Sequence, residues 1–192
     1  MLHMEQDRAE AEKITSYLPV LQDLIGRIRG LSTVHHLLSE SGWRPLEITD
    51  LCRQVVNASL QGVPFGKQVH VEISPSQVRV TSNQAHHLTL VVNELATNAM
   101  KYALSDRNEA NIYIETCLKD QTIEIIFKDD GPGYPDHILR DGFVPSTIGF
   151  ELIRGITRKS LNGEVTFKND HGAVARIIFP NDFNHLDQKG DS

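Results

Sequence analysis

The 192-residue sequence has little cysteine and no long apolar run. Cys52 and Cys117 are far apart and form no Cys-x-x-Cys pair, which disfavours a disulfide or a zinc site. Both are therefore predicted to be reduced, buried, small apolar residues, as is typical of a cytoplasmic protein. No run approaches the roughly 18 apolar residues of a membrane span, and the N-terminus lacks the regions of a signal peptide. We expect a soluble chain without a membrane segment.

The sequence also lacks an excess of basic residues. Its 25 acidic residues outnumber its 19 basic residues, which gives a net charge of −6. Because a basic footprint for nucleic acid or anionic lipid is absent, no nucleic-acid partner is expected. An anionic ligand would need a local site or a metal ion. The hydrophobic fraction of 40% is ordinary for a globular protein with a real core.

The N-terminal part has an apolar seam at helical spacing. Pro19 either kinks this helix or begins it, with Ser16 as the cap. The seam predicts packing against another helix, either in a second copy of the chain or the helix headed by Thr49. His35, a seam member, is predicted to be a packed core histidine. The seam residues are Ile14, Tyr17, Leu21, Leu24, Ile28, Leu31, His35 and Leu38.

Helices alternate with strand pairs beyond this seam. A helix from Thr49 to Gly62 precedes KQVHVEIS and QVRVTS, which are predicted to form a hairpin joined at Pro75. A long helix over about 83–104 precedes a strand pair that turns at Lys119-Asp120. A last helix over about 148–161 precedes a strand pair that turns at residues 169–172.

This order predicts an α+β fold, a two-layer α/β sandwich whose sheet is covered on one face by helices. The predicted organisation is a helical segment over 1–45, a main domain over 46–181 and a flexible tail over 182–192.

Three short segments carry candidate chemistry. In NELATNAMKYAL (93–104), Glu94, Asn98 and Lys101 lie at i, i+4 and i+7, on one side of a helix. In KDDGPGYPD (128–136), Asp129 ends an apolar strand, and two glycines follow where a ligand could approach the backbone. In STIGFELIRGI (146–156), Gly149 begins an amphipathic helix whose first-turn amides could face an anion. Each is weak alone, and a solvated helix face would explain the first.

Together these segments resemble the ATP-binding catalytic domain of bacterial sensor histidine kinases, in the GHKL superfamily shared with gyrase, Hsp90 and MutL. NELATNAMKYA resembles the N box, DDGPG the first glycine box, and STIGFELI a short form of the second glycine box. Upstream, RIRGLSTVHHLLSESGW resembles the second helix of the dimerisation region in the HWE kinases and their close relatives. The resemblance implies a Bergerat ATP-binding fold preceded by a helical dimerisation segment.

The resemblance also implies a role for each matching residue, with ATP and Mg²⁺ as cofactors. Asn98 would be the Mg²⁺ ligand, and Glu94 would orient a metal-bound water; both are the catalytic candidates. Residues 134–147 would form a lid over the phosphates. Asp129 would hold the adenine amine. The remaining nucleotide-binding candidates are Lys101, Tyr102, Gly131, Gly133, Ser146, Thr147 and Gly149.

Some features depart from the family pattern. Asn93 and Phe127-Lys128-Asp129 stand where HWE kinases carry His and Trp-x-Glu, which indicates a relative of that branch. Ala173 replaces a common Thr. No phosphoacceptor signature precedes residue 21, so either the chain is a fragment or it acts on a partner's histidine. His36 is a weak acceptor candidate.

The predicted function is the catalytic part of a two-component sensor histidine kinase that transfers the γ-phosphoryl group of Mg-ATP to a histidine. The expected partners are a response regulator receiver domain and a second copy bound through the N-terminal helix. Two alternatives stay open. One is a serine kinase of the anti-sigma type, and the other is a noncatalytic phosphotransfer or scaffold module with the same fold.

Overall fold

A computed structural model describes residues 21, 24–36, 38–40, 42–139 and 148–183. Helix α1 lies within residues 24–36 and 38–40. The elements that follow α1 are, in chain order, β1 Leu46–Glu47, α2 Ile48–Leu60, β2 Gln68–Ile73, β3 Arg79–Val80, α3 Ser82–Ala103, β4 Glu109–Lys119, β5 Thr122–Asp129, α4 Asp136–Leu139, α5 Ile148–Lys159, β6 Glu164–Asn169 and β7 Ala173–Pro180.

Five strands form the main sheet, in the order β2-β4-β5-β7-β6. Strand β2 runs parallel to β4, and the other neighbours are antiparallel. Helices α2, α3 and α5 pack on one face of this sheet and share one core with it. The predicted two-layer sandwich is therefore confirmed.

The core side of the sheet follows from alternation in the strands. Ile123, Ile125 and Phe127 of the central strand β5 are at most 1% exposed, because every second side chain of a strand points to the same face. Helix α3 supplies the opposing apolar face through residues such as Leu88 and Leu95. The hairpin turns at Asp120 and at residues 169–172 lie where the sequence predicted them.

The predicted hairpin joined at Pro75 is wrong. Strand β2 pairs in parallel with β4, with Val69 opposite Ala110 and Ile73 opposite Ile114. Strand β3 pairs instead with β1 in a separate two-stranded sheet. Helix α3 connects β2 to β4 as a crossover, and such a connection brings two strands together in parallel. The local turn signal could not reveal this pairing.

Helix α2 begins at Ile48, one residue before the predicted Thr49. Glu47 is its N-cap residue and makes no side-chain cap bond, whereas Thr49 lies inside the helix and is buried. The Thr49 hydroxyl donates to the carbonyl of Ser76 at 3.2 Å and accepts from its amide at 3.1 Å. Helix α3, by contrast, begins with a capping box between Thr81 and Gln84, which satisfies two of its first backbone donors.

Helix α1 packs on the main domain differently from the predicted seam. Val34, which is not a seam residue, is 0% exposed, and Leu38 is 2% exposed in the common core. Seam residues Leu24 and Ile28 are 46% and 65% exposed. Since Val34 and Leu38 face the core, His35 points outward, and its ring makes an edge contact with Trp43. The predicted core position of His35 is therefore wrong.

Both cysteines are free thiols. Cys52 is fully buried, as predicted, and this burial raises the pKa of its thiol to about 12. Cys117 is only half-buried and lies on the open face of the sheet, so its predicted burial is corrected. Pro19 lies outside the described residues, as does most of the predicted tail. The division of the chain at residue 45 stays a prediction.

Candidate nucleotide site

Helix α3 carries the polar stripe from the core to the surface. Glu94 is only 2% exposed, Asn98 is half-buried, and Lys101 is exposed near the helix end. Tyr102 follows with 40% exposure, and the Lys101 amine lies 5.2 Å from its ring centre. The stripe is therefore not a uniformly solvated helix face.

The first glycine box lies against the end of this helix. A Cβ placed on Gly131 would come within 2.9 Å of the Ala103 Cβ in α3 and within 2.9 Å of Asp129 Oδ1. Because no side chain fits there, glycine lets the loop after β5 approach α3 closely. The loop that begins at Asp129 therefore lies next to the last turn of α3, where Lys101 and Tyr102 are exposed.

The second glycine box begins against the same helix. A Cβ on Gly149 would lie 2.8 Å from Glu94 Oε2 and 3.9 Å from Asn98 Nδ2. Helix α3 thus touches both glycine boxes. Ser146 and Thr147, the other predicted residues of this box, lie outside the described residues.

Asp129 has one oxygen fixed by the backbone. Its Oδ1 accepts hydrogen bonds from the amides of Gly131 at 2.8 Å and Ala173 at 3.4 Å. Within the described ranges, no protein group donates to its Oδ2. Burial of this 8% exposed side chain raises the pKa of its carboxyl, and the neighbouring Asp130 adds to the shift. Ala173 therefore contributes a backbone amide where the family pattern suggests a hydroxyl.

Asp130 anchors the same loop, a role that the sequence did not indicate. Its carboxylate pairs with Arg107 at 2.7 Å and accepts bonds from the amide and side chain of Asn111 at 2.9 and 2.8 Å. Desolvation raises the pKa of this carboxyl, but the bonds from Arg107 and Asn111 outweigh it and lower the pKa to about 2. Two adjacent aspartates thus have opposite pKa shifts.

The turn between β6 and β7 supports the first glycine box. Asn169 accepts a bond from the Tyr134 amide at 2.7 Å and donates to its carbonyl at 2.9 Å. Gly172 has a φ of +134°, and a Cβ there would lie 1.9 Å from the Asp129 carbonyl oxygen. The sequence indicated this turn only as a hairpin loop, because its contact with residues about 40 positions away leaves no local signal.

The first part of the predicted lid is folded onto the core. Tyr134 is 9% exposed, and its ring packs edge-on against Phe150 and Phe167. Ile138, in the short helix α4, is 2% exposed, and its carbonyl accepts a bond from Arg154. Residues 140–147 lie outside the described residues.

The side-chain amide of Asn98 could hold a metal ion. Its Nδ2 is buried without a hydrogen-bond partner in the part of the chain that the structure describes. Such orphaned polar atoms are costly, and rotation of the amide would present its oxygen, a donor that Mg²⁺ prefers. No group of three His, Cys, Asp or Glu residues that could hold a metal occurs among the described residues. A metal here would need further oxygens from a ligand and water.

Arg27 of α1 also reaches this site. Its Nη2 donates to Glu94 Oε2 at 3.1 Å, and its Nε lies 2.6 Å from Glu94 Oε1 in a close ionic contact. No pattern in the sequence indicated this pair, because 67 positions separate the two residues.

The family follows from comparison with known proteins. The family model of histidine kinase-, DNA gyrase B- and HSP90-like ATPases matches residues 83–182, so the chain belongs to this family. The model of HWE histidine kinases matches residues 8–72. The upstream segment therefore agrees with the HWE branch of sensor histidine kinases, although Asn93 and Phe127-Lys128-Asp129 depart from its pattern.

Two curated relatives match parts of the chain. Blue-light-activated histidine kinase 2 of Erythrobacter litoralis (strain HTCC2594) is 23% identical over 159 residues, which are 81% of this chain and 38% of the relative. Anti-sigma F factor of Bacillus licheniformis is 30% identical over 61 residues, which are 32% of this chain and 42% of the relative. The chain thus spans about two fifths of the length of these relatives.

Solved structures agree on the fold. The histidine kinase domain from the Erythrobacter litoralis EL346 blue-light activated histidine kinase has a TM-score of 0.65 and 21% identity, with 83% of this chain and 75% of that chain covered. Acinetobacter baumannii histidine kinase AdeS has a TM-score of 0.60 and 19% identity, with coverages of 88% and 83%. Among the described residues, no helix has the length and apolarity needed to cross a bilayer.

Proposed function

We propose that this chain is the ATP-binding catalytic part of a sensor histidine kinase. It transfers the γ-phosphoryl group of Mg-ATP to a histidine, from which the group is relayed to a response regulator receiver domain. The observation that carries this proposal is the contact of α3 with both glycine boxes. These contacts place two polar groups beside the same helix. One is the Asn98 amide, whose nitrogen has no hydrogen-bond partner among the described residues, and the other is Asp129 Oδ2, to which no described group donates.

The two ends of the nucleotide are assigned to different residues. Asp129 Oδ2 accepts a hydrogen bond from the adenine amine, while Gly131 and Gly133 let the loop pack closely against Ala103 and Asn169 beside it. Lys101 and Tyr102, exposed at the end of α3, meet the phosphates as a charge and a hydroxyl donor. The amide of Gly149 would contribute to the phosphate cradle, and the same role is predicted for Ser146 and Thr147, which lie outside the described residues.

Asn98 would hold Mg²⁺, which neutralises phosphate charge when it is bound. With the nucleotide fixed in this way, the chain contributes to phosphoryl transfer mainly by positioning and electrostatics. Glu94 is the second catalytic candidate, and it lies one helical turn before Asn98 on α3.

The acceptor histidine is proposed to come from another segment or a partner. His36 is exposed and lies 3.3 Å from Glu40, so it is accessible and has an acid beside it, but it stays a weak candidate. The exposed apolar side of α1 supports a homodimer formed through the helical segment of residues 1–45. We propose a cytoplasmic location and no nucleic-acid partner, in line with the acidic net charge.

The experiment is transfer from γ-labelled ATP, with Mg²⁺ and with or without a supplied acceptor-histidine helix from the Erythrobacter kinase. We expect acid-labile, base-stable label on the supplied helix and little on this chain alone. Strong acid-labile label on His36 would instead place the acceptor within this chain. Label that survives acid would contradict the histidine kinase proposal.

The similarity to anti-sigma F factor favours a serine kinase of the anti-sigma type as the second candidate. Acid-stable label on a partner serine would support it. A noncatalytic scaffold module is the third possibility, and it predicts no transfer to either acceptor despite nucleotide binding. The exposed apolar side of α1 argues against the serine kinase, because that class usually lacks such a helix.

A further inference from the structure

The guanidinium of Arg27 engages both oxygens of Glu94. The Nη2–Oε2 hydrogen bond is 3.1 Å long, and the Nε–Oε1 contact is 2.6 Å. The Glu94 side chain is 3% exposed and the Arg27 side chain is 18% exposed. Because both charges are largely removed from water, loss of either partner would remove a close opposite charge from the other.

Helix α1 is held against α3 beside this pair. Gly30 follows Arg27 by one turn, and a Cβ on it would lie 3.3 Å from Asn93 Oδ1. Asn93 in turn accepts a hydrogen bond from the Ser59 hydroxyl of α2 at 3.0 Å. Val34, one further turn along, is fully buried in the common core. The position of Arg27 is therefore set by the packing of three helices.

Glu94 lies where an unpaired carboxylate would have a chemical consequence. It is one turn from Asn98, and its Oε2 is next to the backbone of Gly149. A carboxylate in this place could accept a proton from water as that water's oxygen attacks the γ-phosphorus. The bond from the γ-phosphorus to the β–γ bridging oxygen would break, and ADP would leave with the electron pair. The product would be inorganic phosphate instead of a phosphohistidine.

We propose that Arg27 is a positioning residue that holds Glu94 in an ion pair and so limits transfer of the γ-phosphoryl group to water. A guanidinium beside a carboxylate stabilises its charged form, which makes the carboxylate a weaker acceptor of a water proton. The proposal rests on the nucleotide site proposed above. By this proposal, helix α1 influences whether the phosphoryl group is transferred to a histidine or to water.

The test compares Arg27→Met, Arg27→Lys, Glu94→Gln and the double variant Arg27→Met/Glu94→Gln with the wild type. Arg53→Met is the matched control, because Arg53 is exposed on α2 and pairs only with Asp50 in the described part of the chain. Three quantities are measured: Mg-ATP affinity, phosphate release at saturating Mg-ATP without an acceptor, and the thermal midpoint of unfolding.

We expect Arg27→Met to raise phosphate release about tenfold or more, since a positioned general base contributes on the order of 10²–10⁴-fold. Arg27→Lys should give a smaller rise, and the double variant should return to the wild-type rate. Arg27→Met should also lower the thermal midpoint, and adding Glu94→Gln should restore part of that loss. Arg53→Met should change neither quantity.

Each contrary result has a distinct meaning. Phosphate release unchanged or lowered in Arg27→Met, with Mg-ATP still bound, would overturn this inference and leave the nucleotide site intact. Persistent release in the double variant would overturn the role of Glu94, and additive losses of thermal midpoint would show that the two residues are not coupled. If Arg27→Met does not fold, phosphate release by Arg27→Lys takes its place. A rate no higher than that of the wild type would then overturn the inference. A wild type that binds no Mg-ATP would refute the proposed function and this inference together.

Discussion

At the scale of single residues, neighbouring Asp129 and Asp130 acquire different roles from their surroundings. Burial raises the pKa of Asp129, whereas Arg107 and Asn111 lower the pKa of Asp130 to about 2 despite its desolvation. Asp130 therefore fixes the loop as a stable anion, and Asp129 has one oxygen, Oδ2, to which no described group donates. The sequence identified Asp129 through the glycines that follow it, but it could not separate the two carboxylates.

Asp129→Asn should weaken ATP binding roughly tenfold or more and reduce the preference for ATP over GTP, because a hydrogen bond to a charged acceptor is worth about 1.5–3 kcal/mol. An amide can also donate to the oxygen that guanine carries in place of the amine. Competitive titration of both nucleotides measures the effect. Asp120→Asn, in the β4–β5 turn, is the matched control, and an unchanged preference in Asp129→Asn would contradict the adenine assignment.

Gly172→Ala should destabilise the protein by about 3 kcal/mol or more, because the new Cβ would meet the Asp129 carbonyl oxygen and the positive φ disfavours a side chain. Chemical denaturation measures the change. Gly155→Ala is the control, since nothing lies within 4 Å of a Cβ there and helix α5 should gain about 0.5–1 kcal/mol. Equal stability of the two variants would show that Gly172 does not lie against this carbonyl oxygen.

At the scale of elements, the sequence predicted those whose signals are local. Helix α3 has strong periodicity and a capping box at Thr81, and the β4–β5 hairpin has a clear turn at Asp120. The error at Pro75 arose because the partner of β2 is chosen by the α3 crossover, which no short pattern encodes. The outward position of His35 has the same origin, since the rotation of α1 depends on where Val34 and Leu38 fit in the core.

An ionic cluster centred on Glu124 in β5 lies on the open face of the sheet, the face that the helices do not cover. Its carboxylate contacts Arg176 of β7 and Lys119 of β4, the latter at 3.0 Å, and Cys117 donates to it at 3.5 Å. The side-chain bond from Arg176, followed by that from Lys119, lowers the pKa of Glu124 from 4.5 to about 2. The cluster therefore connects three strands through one anion.

Glu124→Gln should lower the free energy of unfolding at neutral pH by about 1–2 kcal/mol, since Arg176 and Lys119 lose a charged acceptor. A depressed carboxyl pKa contributes stability above the unfolded value and loses it as the pH falls through the folded value. The difference between wild type and variant should therefore shrink from about pH 4.5 to about pH 2. Chemical denaturation at several pH values measures this difference in stability. A difference that does not change over this window would contradict the contacts of Glu124 with Arg176 and Lys119.

At the scale of the whole molecule, α1 joins two surfaces. One side, with Arg27, Gly30 and Val34, packs on the nucleotide domain. The other side exposes Leu24, Ile25 and Ile28 in the described chain, and adjacent exposed apolar residues of this kind are typical of an interaction surface. The sequence predicted an apolar helix face that packs against another helix. It could not predict the contact between Arg27 and Glu94, because the two residues belong to distant segments.

Ile28→Asp should convert the proposed dimer into a monomer, because the charge would be placed in the apolar side of α1 that the second copy would cover. Sedimentation velocity measures the mass, and circular dichroism should show an unchanged fold. Val34→Asp is the contrasting variant and should unfold the domain, since Val34 is 0% exposed. A wild type that sediments as a monomer, or an Ile28→Asp variant that remains a dimer, would contradict the proposed interface.

The most direct test of the nucleotide site is calorimetric titration of ATP into the wild type and Asn98→Ala, with Mg²⁺ and with a chelator. The wild type should bind ATP more tightly with Mg²⁺. Asn98→Ala should lose this Mg²⁺-dependent gain while its circular dichroism spectrum stays the same, because the amide oxygen proposed to hold the ion is gone. Wild-type affinity and Mg²⁺ dependence in Asn98→Ala would contradict the site.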